Sequence, residues 1–122
     1  HANIMSIEEF YLKRGETLMS KSAQLSGAGT HSVWIPVAGR RVVVTSVGIT
    51  SIDTAGTIAF YFDNGNSRIA MYHLAASGAI QPIISGWEST VASGRIFAVK
   101  SAIQTDGIQI SLGGFEIPIT AV

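Results

Sequence analysis

The stretch FYFDNGNSR, from Phe60 to Arg68, gathers a carboxylate, two amides, a hydroxyl and a guanidinium. Such a set suits a metal ion or a sugar. A calcium loop, however, takes several carboxylates, including a late bidentate acid, whereas Asp63 is the only acid here and Arg68 would repel a cation. Asn64-Gly65 is a strong hairpin signal, because both central residues of a type I′ turn need positive φ. We therefore interpret the stretch as a turn, with a ligand site as the alternative.

The length of this turn sets the register of the two strands that it joins. A two-residue loop places Phe60 opposite Ile69. A four-residue loop places Phe60 opposite Met71 and adds an opposite-charge pair of Asp63 with Arg68. The two registers differ by two residues, so both keep the same side chains inside. Either register turns the aromatic strand toward the core.

Histidine and cysteine offer little for catalysis or metal binding. His1, His31 and His73 show no H-x-H or H-x-x-x-H spacing. The absence of cysteine excludes disulfides, thiolate metal sites and thiol nucleophiles. No G-x-S-x-G elbow is present, although a Ser-His-Asp set can assemble from distant residues. We predict a protein that is not an enzyme and that holds no metal or cofactor.

Aromatic side chains supply a second candidate chemistry, the stacking of a sugar. Trp34, Trp87, Tyr61 and Tyr72 are the candidates for such a platform. Trp87 lies in a loop beside the acid Glu88 and two hydroxyls, which suits a sugar better than the surroundings of Trp34 do. The alternative is that each tryptophan caps the core or fills a subunit interface. The glycan hypothesis therefore rests on Trp87, Glu88 and Tyr61.

Composition restricts the partners of the chain. Its 122 residues predict one domain. Charged residues make up 13%, against about 25% in an average soluble domain, and eight basic residues balance eight acids, so nucleic acid is not an expected partner. No apolar run reaches the roughly 18 to 20 residues that span a bilayer. With mean hydropathy of +0.36, we expect another subunit to cover part of the surface; a small β domain with a polar, uncharged surface is the alternative.

Residues 1–16 differ from the rest and are predicted to form a short N-terminal arm. Ser6-Ile7-Glu8-Glu9 fits a capping box, which predicts a helix from about Ile7 to Lys13, ended by Gly15. An extended arm fits the sequence equally well. Such a segment is too short to fold alone, so it must dock on its own domain or on a neighbour. The predicted anchors on a partner are Phe10, Tyr11 and Leu12.

Residues 17–122 are predicted to form one β-sandwich. Short apolar segments separated by Gly-, Ser- and Asn-bearing turns predict eight strands, at about 17–25, 31–36, 40–51, 57–63, 68–74, 79–84, 95–103 and 108–118. This spacing, without a long helix, favours an antiparallel sandwich or barrel. Residues 41–44 and 96–99 are partly apolar on both faces, so something outside the sandwich must cover them. Gly113-Gly114 predicts a bulge or bend.

Three segments carry a resemblance to a known family: GRRVVVTSVGITSIDTAGTIAFYF, ISGWESTVASGRIFAVKSA and GIQISLGGFEI. Between Gly39 and Ile117 the chain resembles small jelly-roll virion proteins of tailed phages, of the capsid decoration (cement) type. The shared pattern is a basic-started valine strand, a TAGT corner, a Trp-bearing loop and a closing strand that ends in G-x-E. Here Gly113-Gly114 stands in place of one glycine of that strand.

The resemblance implies an eight-stranded antiparallel jelly roll that has a structural role on the capsid surface. It further implies a homo-oligomer, most often a trimer, that binds between subunits of the major capsid protein. It carries no catalytic residues. The alternative function is a carbohydrate- or receptor-binding module of a phage tail or fibre, built around the glycan candidates named above.

Overall fold

A computed structural model describes residues 6–27, 29–51, 55–62, 68–89, 94–100 and 107–119. Within these ranges the chain forms one helix, α1 (Ile7–Lys13), and the strands β1 (Met19–Leu25), β2 (Gly29–Trp34), β3 (Arg40–Ser51), β4 (Gly56–Phe62), β5 (Arg68–Leu74), β6 (Ala79–Ile80), β7 (Trp87–Glu88), β8 (Ile96–Lys100) and β9 (Ile108–Pro118). No helix in these ranges is long and apolar enough to cross a membrane.

Two antiparallel sheets form a sandwich. The first sheet has the order β1-β9-β3-β6, with β7 also paired to β3, and the second sheet has the order β2-β8-β4-β5. Along the chain the strands cross from one sheet to the other, except at the hairpin of β4 and β5 and at the short pair β6 and β7, whose members stay in one sheet. This is the jelly-roll arrangement. The all-β, antiparallel jelly-roll fold is confirmed. The short strand β7 lies where the sequence predicted a loop, and the strand predicted at 79–84 shrinks to β6, since Pro82 has no N–H to donate to a ladder.

The core lies between the sheets and follows the alternation of side chains along each strand. The fully buried side chains include Trp34, Val42, Ile49, Ile58, Phe60, Ile96, Ile108, Ile110 and Leu112. The pairing of β3 with β9 shifts between Val44 and Ser46, opposite Gly113-Gly114. A Cβ at Gly114 would lie 2.0 Å from the Val43 carbonyl oxygen, so only glycine fits there. The bulge predicted at this glycine pair is confirmed.

The hairpin of β4 and β5 begins in the register of the two-residue loop and then leaves it. Next to the turn Tyr61 pairs with Arg68, as that loop predicts, but the register shifts at Phe60, which pairs with Ala70 rather than with Ile69 or Met71. A shift of this kind places one extra residue in one strand, which offsets the hairpin by a single position and turns Met71 outward. The predicted turn itself, including Asp63 and the Asn64-Gly65 pair, lies outside the described residues.

Candidate interaction surfaces

The caps of α1 are built from its own sequence. The Ser6 hydroxyl oxygen accepts the Glu9 N–H at 3.1 Å, which satisfies one of the free donors at the helix start. At the other end Gly15 has φ +86°. Its N–H donates to the Leu12 carbonyl at 3.0 Å, and the next N–H, of Glu16, donates to the Tyr11 carbonyl at 3.1 Å. This pair of bonds is a Schellman motif, so the segment is a helix and not an extended arm.

The inner side of α1 packs on the outer face of the first sheet. Tyr11, Val43, Phe115 and Ile117 form a buried cluster separate from the main core, with Ile7 packed against it. The ring centres of Tyr11 and Phe115 are 5.5 Å apart. The apolar outer face predicted for residues 41–44 is therefore covered by the arm of the same chain.

Polar contacts fix the position of α1 on this sheet. An Arg41 Nη2 donates to the Tyr11 hydroxyl at 2.7 Å, and that hydroxyl donates to Glu88 Oε1 at 3.1 Å. Arg41 Nη1 also lies 3.6 Å from Glu88 Oε1, so each member of the trio has a partner. Nearer the helix start, the Thr45 hydroxyl donates to Glu8 Oε1 at 3.1 Å. Because bonds to charged groups are stronger than neutral ones, this network selects one orientation of the helix.

The three predicted arm anchors point in different directions. Tyr11 is only 5% exposed and contacts its own domain, whereas Phe10 is 43% and Leu12 is 44% exposed. The Arg14 guanidinium lies over the Phe10 ring, 5.1 Å from its centre. Residues two positions apart on a helix are turned by about 200°, so Phe10 and Leu12 lie on the two flanks of the exposed part of α1, which we call its outer side. Tyr11, between them, joins the helix to the sheet.

The glycan candidates do not converge. Trp87 is 8% exposed and its ring centre lies 5.2 Å from that of Phe60, in the main core. Its ring is therefore covered by core side chains and is not exposed on the surface as a stacking platform would be. Glu88 is bound to Tyr11 and Arg41 on the first sheet, whereas Tyr61 lies on the second sheet. The structure brings none of the three together around a common space.

A second surface, which the sequence did not reveal, lies at the end of the sandwich where β1 and β3 begin and β2 and β9 end. Four exposed apolar side chains lie on the segments that meet at this end, and we call them together the apolar end patch: Leu18, Ile35, Val37 and Ile119. Ile35 and Val37 are 68% and 64% exposed, on the loop that joins the two sheets. The Ile119 N–H donates to the carbonyl of Gly39 in the same loop at 3.1 Å, which holds the end of β9 beside it.

A buried carboxylate beneath the patch fixes this loop. Glu116 is 7% exposed and accepts the Trp34 indole N–H at 2.8 Å and the Val37 N–H at 3.0 Å. The Arg40 N–H closes a turn on the Val37 carbonyl at 3.1 Å, and Arg40 Nη1 donates to the Glu116 carbonyl at 2.9 Å. These bonds tie the loop to β9 of the first sheet and to the end of β2 in the second sheet. The sequence signal for this role was an acid inside an otherwise apolar strand.

A cleft of about 470 Å³ adjoins the patch, lined by Glu16, Thr17, Met19, Val37, Arg40 and Glu116. Glu16 and Arg40 bring opposite charges to it, and within the described part of the chain neither forms an ion pair within 4.0 Å. Among the described residues no three His, Cys, Asp or Glu side chains are grouped so as to hold a metal ion. The groups gathered here are suited to binding another surface by shape, apolar contact and charge.

Neither a protein-family model nor a curated protein matches the chain in sequence. Among solved structures, the capsid of a Helicobacter pylori bacteriophage matches with a TM-score of 0.57 at 7% identity, over 88% of this chain and 93% of that one. The chain shares its fold with a phage capsid protein. At so low an identity the likeness is one of fold, and the jelly-roll topology that the sequence resemblance implied is confirmed by it.

Two further matches are looser. A cyanophage capsid protein matches with a TM-score of 0.47 at 11% identity, over 94% of this chain and 91% of that one. A carbohydrate-binding module of a Cellvibrio mixtus lichenase matches with a TM-score of 0.43 at 16% identity, over 84% of this chain and 86% of that one. The fold assignment does not depend on either.

Proposed function

We propose that the protein is a structural component of a phage virion. Within the virion it acts as a decoration (cement) protein on the capsid surface, where a homo-oligomer, a trimer by the family resemblance, binds between subunits of the capsid. Support comes from the jelly-roll fold shared with a phage capsid protein and from the resemblance of its sequence segments to decoration proteins. The function would lie in buried surface area and not in chemistry.

One observation carries this proposal: a small, charge-poor domain holds large apolar side chains outside its core on well-fixed elements. Phe10 and Leu12 project from α1, whose caps and polar network fix it to the first sheet. Groups of exposed apolar side chains mark contact surfaces on small proteins. Aromatic residues and arginine are enriched at interface cores, and Phe10 lies under Arg14.

We further propose that the outer side of α1 is the surface that contacts the capsid. Tyr11 then positions the helix, and Phe10 and Leu12 make the contact. This division of roles changes how the arm is best tested. Deletion of residues 1–14 would also remove Tyr11 from the buried cluster with Phe115, so lost binding would not be separable from a damaged fold.

The substitutions Phe10→Ser and Leu12→Ser, made together, remove the contact and leave Tyr11 in place. We expect this variant to keep the thermal stability of the wild type and to show at least tenfold lower occupancy on capsids stripped of the native protein, measured by gel densitometry of purified particles. The matched control is Ile83→Ser, at a fully exposed isoleucine on the segment after β6. Equal occupancy of the double variant and the control would contradict the role of α1.

The location in the virion is tested separately. An antibody raised against the purified chain should label the heads of intact particles of the encoding phage in immunogold electron microscopy. Labelling confined to tails or fibres, or lost when virions are purified, would overturn the decoration role. In the first of those cases the structural virion role would stand and its place would change.

A further inference from the structure

We propose that the apolar end patch is the surface through which copies of this chain bind each other. The inference rests on the self-association proposed above and assigns it to named residues. The occupant is the next copy of the chain in the proposed trimer, with the end patches of the three copies facing their common three-fold axis. Phe10 and Leu12 on α1 would then remain free for the capsid.

The first argument is the fixed geometry of the patch. The two most exposed members, Ile35 and Val37, lie on a loop whose backbone is bonded to the buried Glu116 carboxylate. Binding usually costs the conformational entropy of the groups that become ordered, and a preformed surface avoids much of that cost. Ile35 and Val37 project from this fixed loop beside a cleft of about 470 Å³. The side chains of one copy can therefore enter the cleft of another.

The second argument is charge. Glu16 and Arg40 line this cleft with opposite charges, and within the described ranges they are paired neither with each other nor with another charged side chain. Around a three-fold axis, the Arg40 of each copy is brought toward the Glu16 of the next. Each interface then joins the basic side of one patch to the acidic side of its neighbour, so a patch with both charges is complementary to itself.

The same charges disfavour other occupants. An acidic partner would place its carboxylates near Glu16, and a basic one would place its cations near Arg40. Like charges brought together across an interface reduce affinity for the wrong partner. An uncharged apolar partner would leave both charges buried without a counterion. A second copy of the chain is complementary to all three features of this surface: the projecting side chains, the cleft and the two opposite charges.

The apolar contribution is tested by Ile35→Ser and Val37→Ser, made together, in sedimentation velocity over about 1 to 100 µM. We expect the wild type to associate and the double variant to show a dissociation constant raised by about 100-fold, since each aliphatic side chain removed from a buried contact weakens binding by roughly tenfold. Ile83→Ser, equally apolar but outside the patch, should leave the constant unchanged. Circular dichroism of each variant checks the fold.

The charge contribution is tested by reversal. Glu16→Lys and Arg40→Glu should each weaken association, and the variant with both changes should recover it. Because Arg40 also donates to the Glu116 carbonyl, a fold defect from Arg40→Glu would not be repaired by Glu16→Lys. The two single variants, when mixed, should also associate more strongly with each other than either does alone, and this recovery between different copies reports the contact between them.

A positive readout comes from the cysteine-free sequence. A short bis-maleimide reagent at micromolar protein should join Ile35→Cys into covalent oligomers, seen on a denaturing gel. Ile83→Cys should give no covalent oligomers under the same conditions. A monomeric wild type at 100 µM would overturn self-association and with it this surface. An oligomer that persists in the double serine variant, without cross-linking at Ile35→Cys, would overturn the surface and leave self-association standing. A protein that self-associates through this surface but does not bind the capsid would contradict the proposed decoration role and leave both self-association and this surface standing.

Discussion

The two sheets have outer faces that begin from the same sequence pattern and end differently. On the first sheet, Val43, Phe115 and Ile117 point away from the core and are nevertheless buried, because α1 covers them. On the second sheet, the row Thr30, Val99, Ala59 and Met71 runs across four paired strands without a covering element among the described residues. Met71 in this row is exposed. The outer face of the first sheet is thus part of a second core, whereas the outer face of the second sheet is partly exposed to solvent.

The second face is shielded instead by long side chains. Arg68 Nη1 lies 3.8 Å from the Met71 sulfur, and Arg95 donates to the Ser32 hydroxyl at the opposite edge of the sheet. Arginine covers apolar surface with its aliphatic stem while its charge stays in water. The two faces differ in what they present: the first has Val43, Phe115 and Ile117 together under α1, whereas the second has the small Ala59 beside a flexible and partly exposed Met71.

The largest expected effect separates these faces directly. Phe115→Ala should lower the free energy of unfolding by about 3–5 kcal/mol, because it leaves a cavity between α1 and the first sheet. Met71→Ala on the second face should change it by no more than about 0.5 kcal/mol. Urea denaturation followed by circular dichroism measures both. Similar losses for the two variants would mean that the second face is covered in solution, and the difference argued here would disappear.

A smaller effect tests how closely α1 approaches the loop before β7. Gly86 has φ +126°, and a Cβ there would lie 2.5 Å from Ile7 Cδ1. Gly86→Ala should therefore cost about 1–3 kcal/mol, mostly as backbone strain. Gly48→Ala on β3 is the control, since a Cβ there would lie a comfortable 4.0 Å from its nearest neighbour and no positive φ is involved. If the two alanine variants unfold at the same urea concentration, Gly86 does not hold its positive φ in solution and the loop is not fixed beside α1 in this conformation.

Next in size is the hydroxyl that joins α1 to the sheet. Tyr11→Phe should cost about 0.5–1.5 kcal/mol, because it removes the group that accepts from Arg41 and donates to Glu88. A double-mutant cycle with Glu88→Gln isolates the contact, since residues in one network are not additive. If the losses in free energy of unfolding from the two substitutions add exactly, the Tyr11 hydroxyl does not bind Glu88 in solution and is hydrated instead.

The features that the sequence predicted correctly are local or periodic. The helix bounds follow from Ser6 and Gly15, whose bonds reach only three to five residues along the chain. The need for a cover over residues 41–44 follows from apolar side chains on both faces of one strand. The bulge follows from a glycine pair. Each of these signals is complete within about a dozen residues.

The features that were missed depend on residues far apart in the chain. Glu116 binds Trp34 and Val37, at separations of 82 and 79 residues, so the end patch exists only once both sheets are packed. Trp87 is drawn into the core by a two-residue strand that pairs with β3, and so short a segment has no periodicity to read. The predicted hairpin register holds at Tyr61 and Arg68 and fails beyond them, because one extra residue in β5 shifts the pairing from Phe60 onward.

The smallest expected effect concerns the inside of the less covered sheet. Tyr72 lies on β5, with its ring centre 6.3 Å from that of Phe60, and burial raises the pKa of its phenol above the ordinary value of 10.0. The folded state therefore holds this proton more tightly than the unfolded chain does. The associated stability is complete below about pH 10 and is lost as pH rises through the folded pKa. Wild type should accordingly lose stability relative to Tyr72→Phe between about pH 9 and 12, measured by urea denaturation at each pH. If the two proteins show parallel profiles of stability against pH, water reaches the inner side of β5. The second sheet would then be open on both of its faces at this edge.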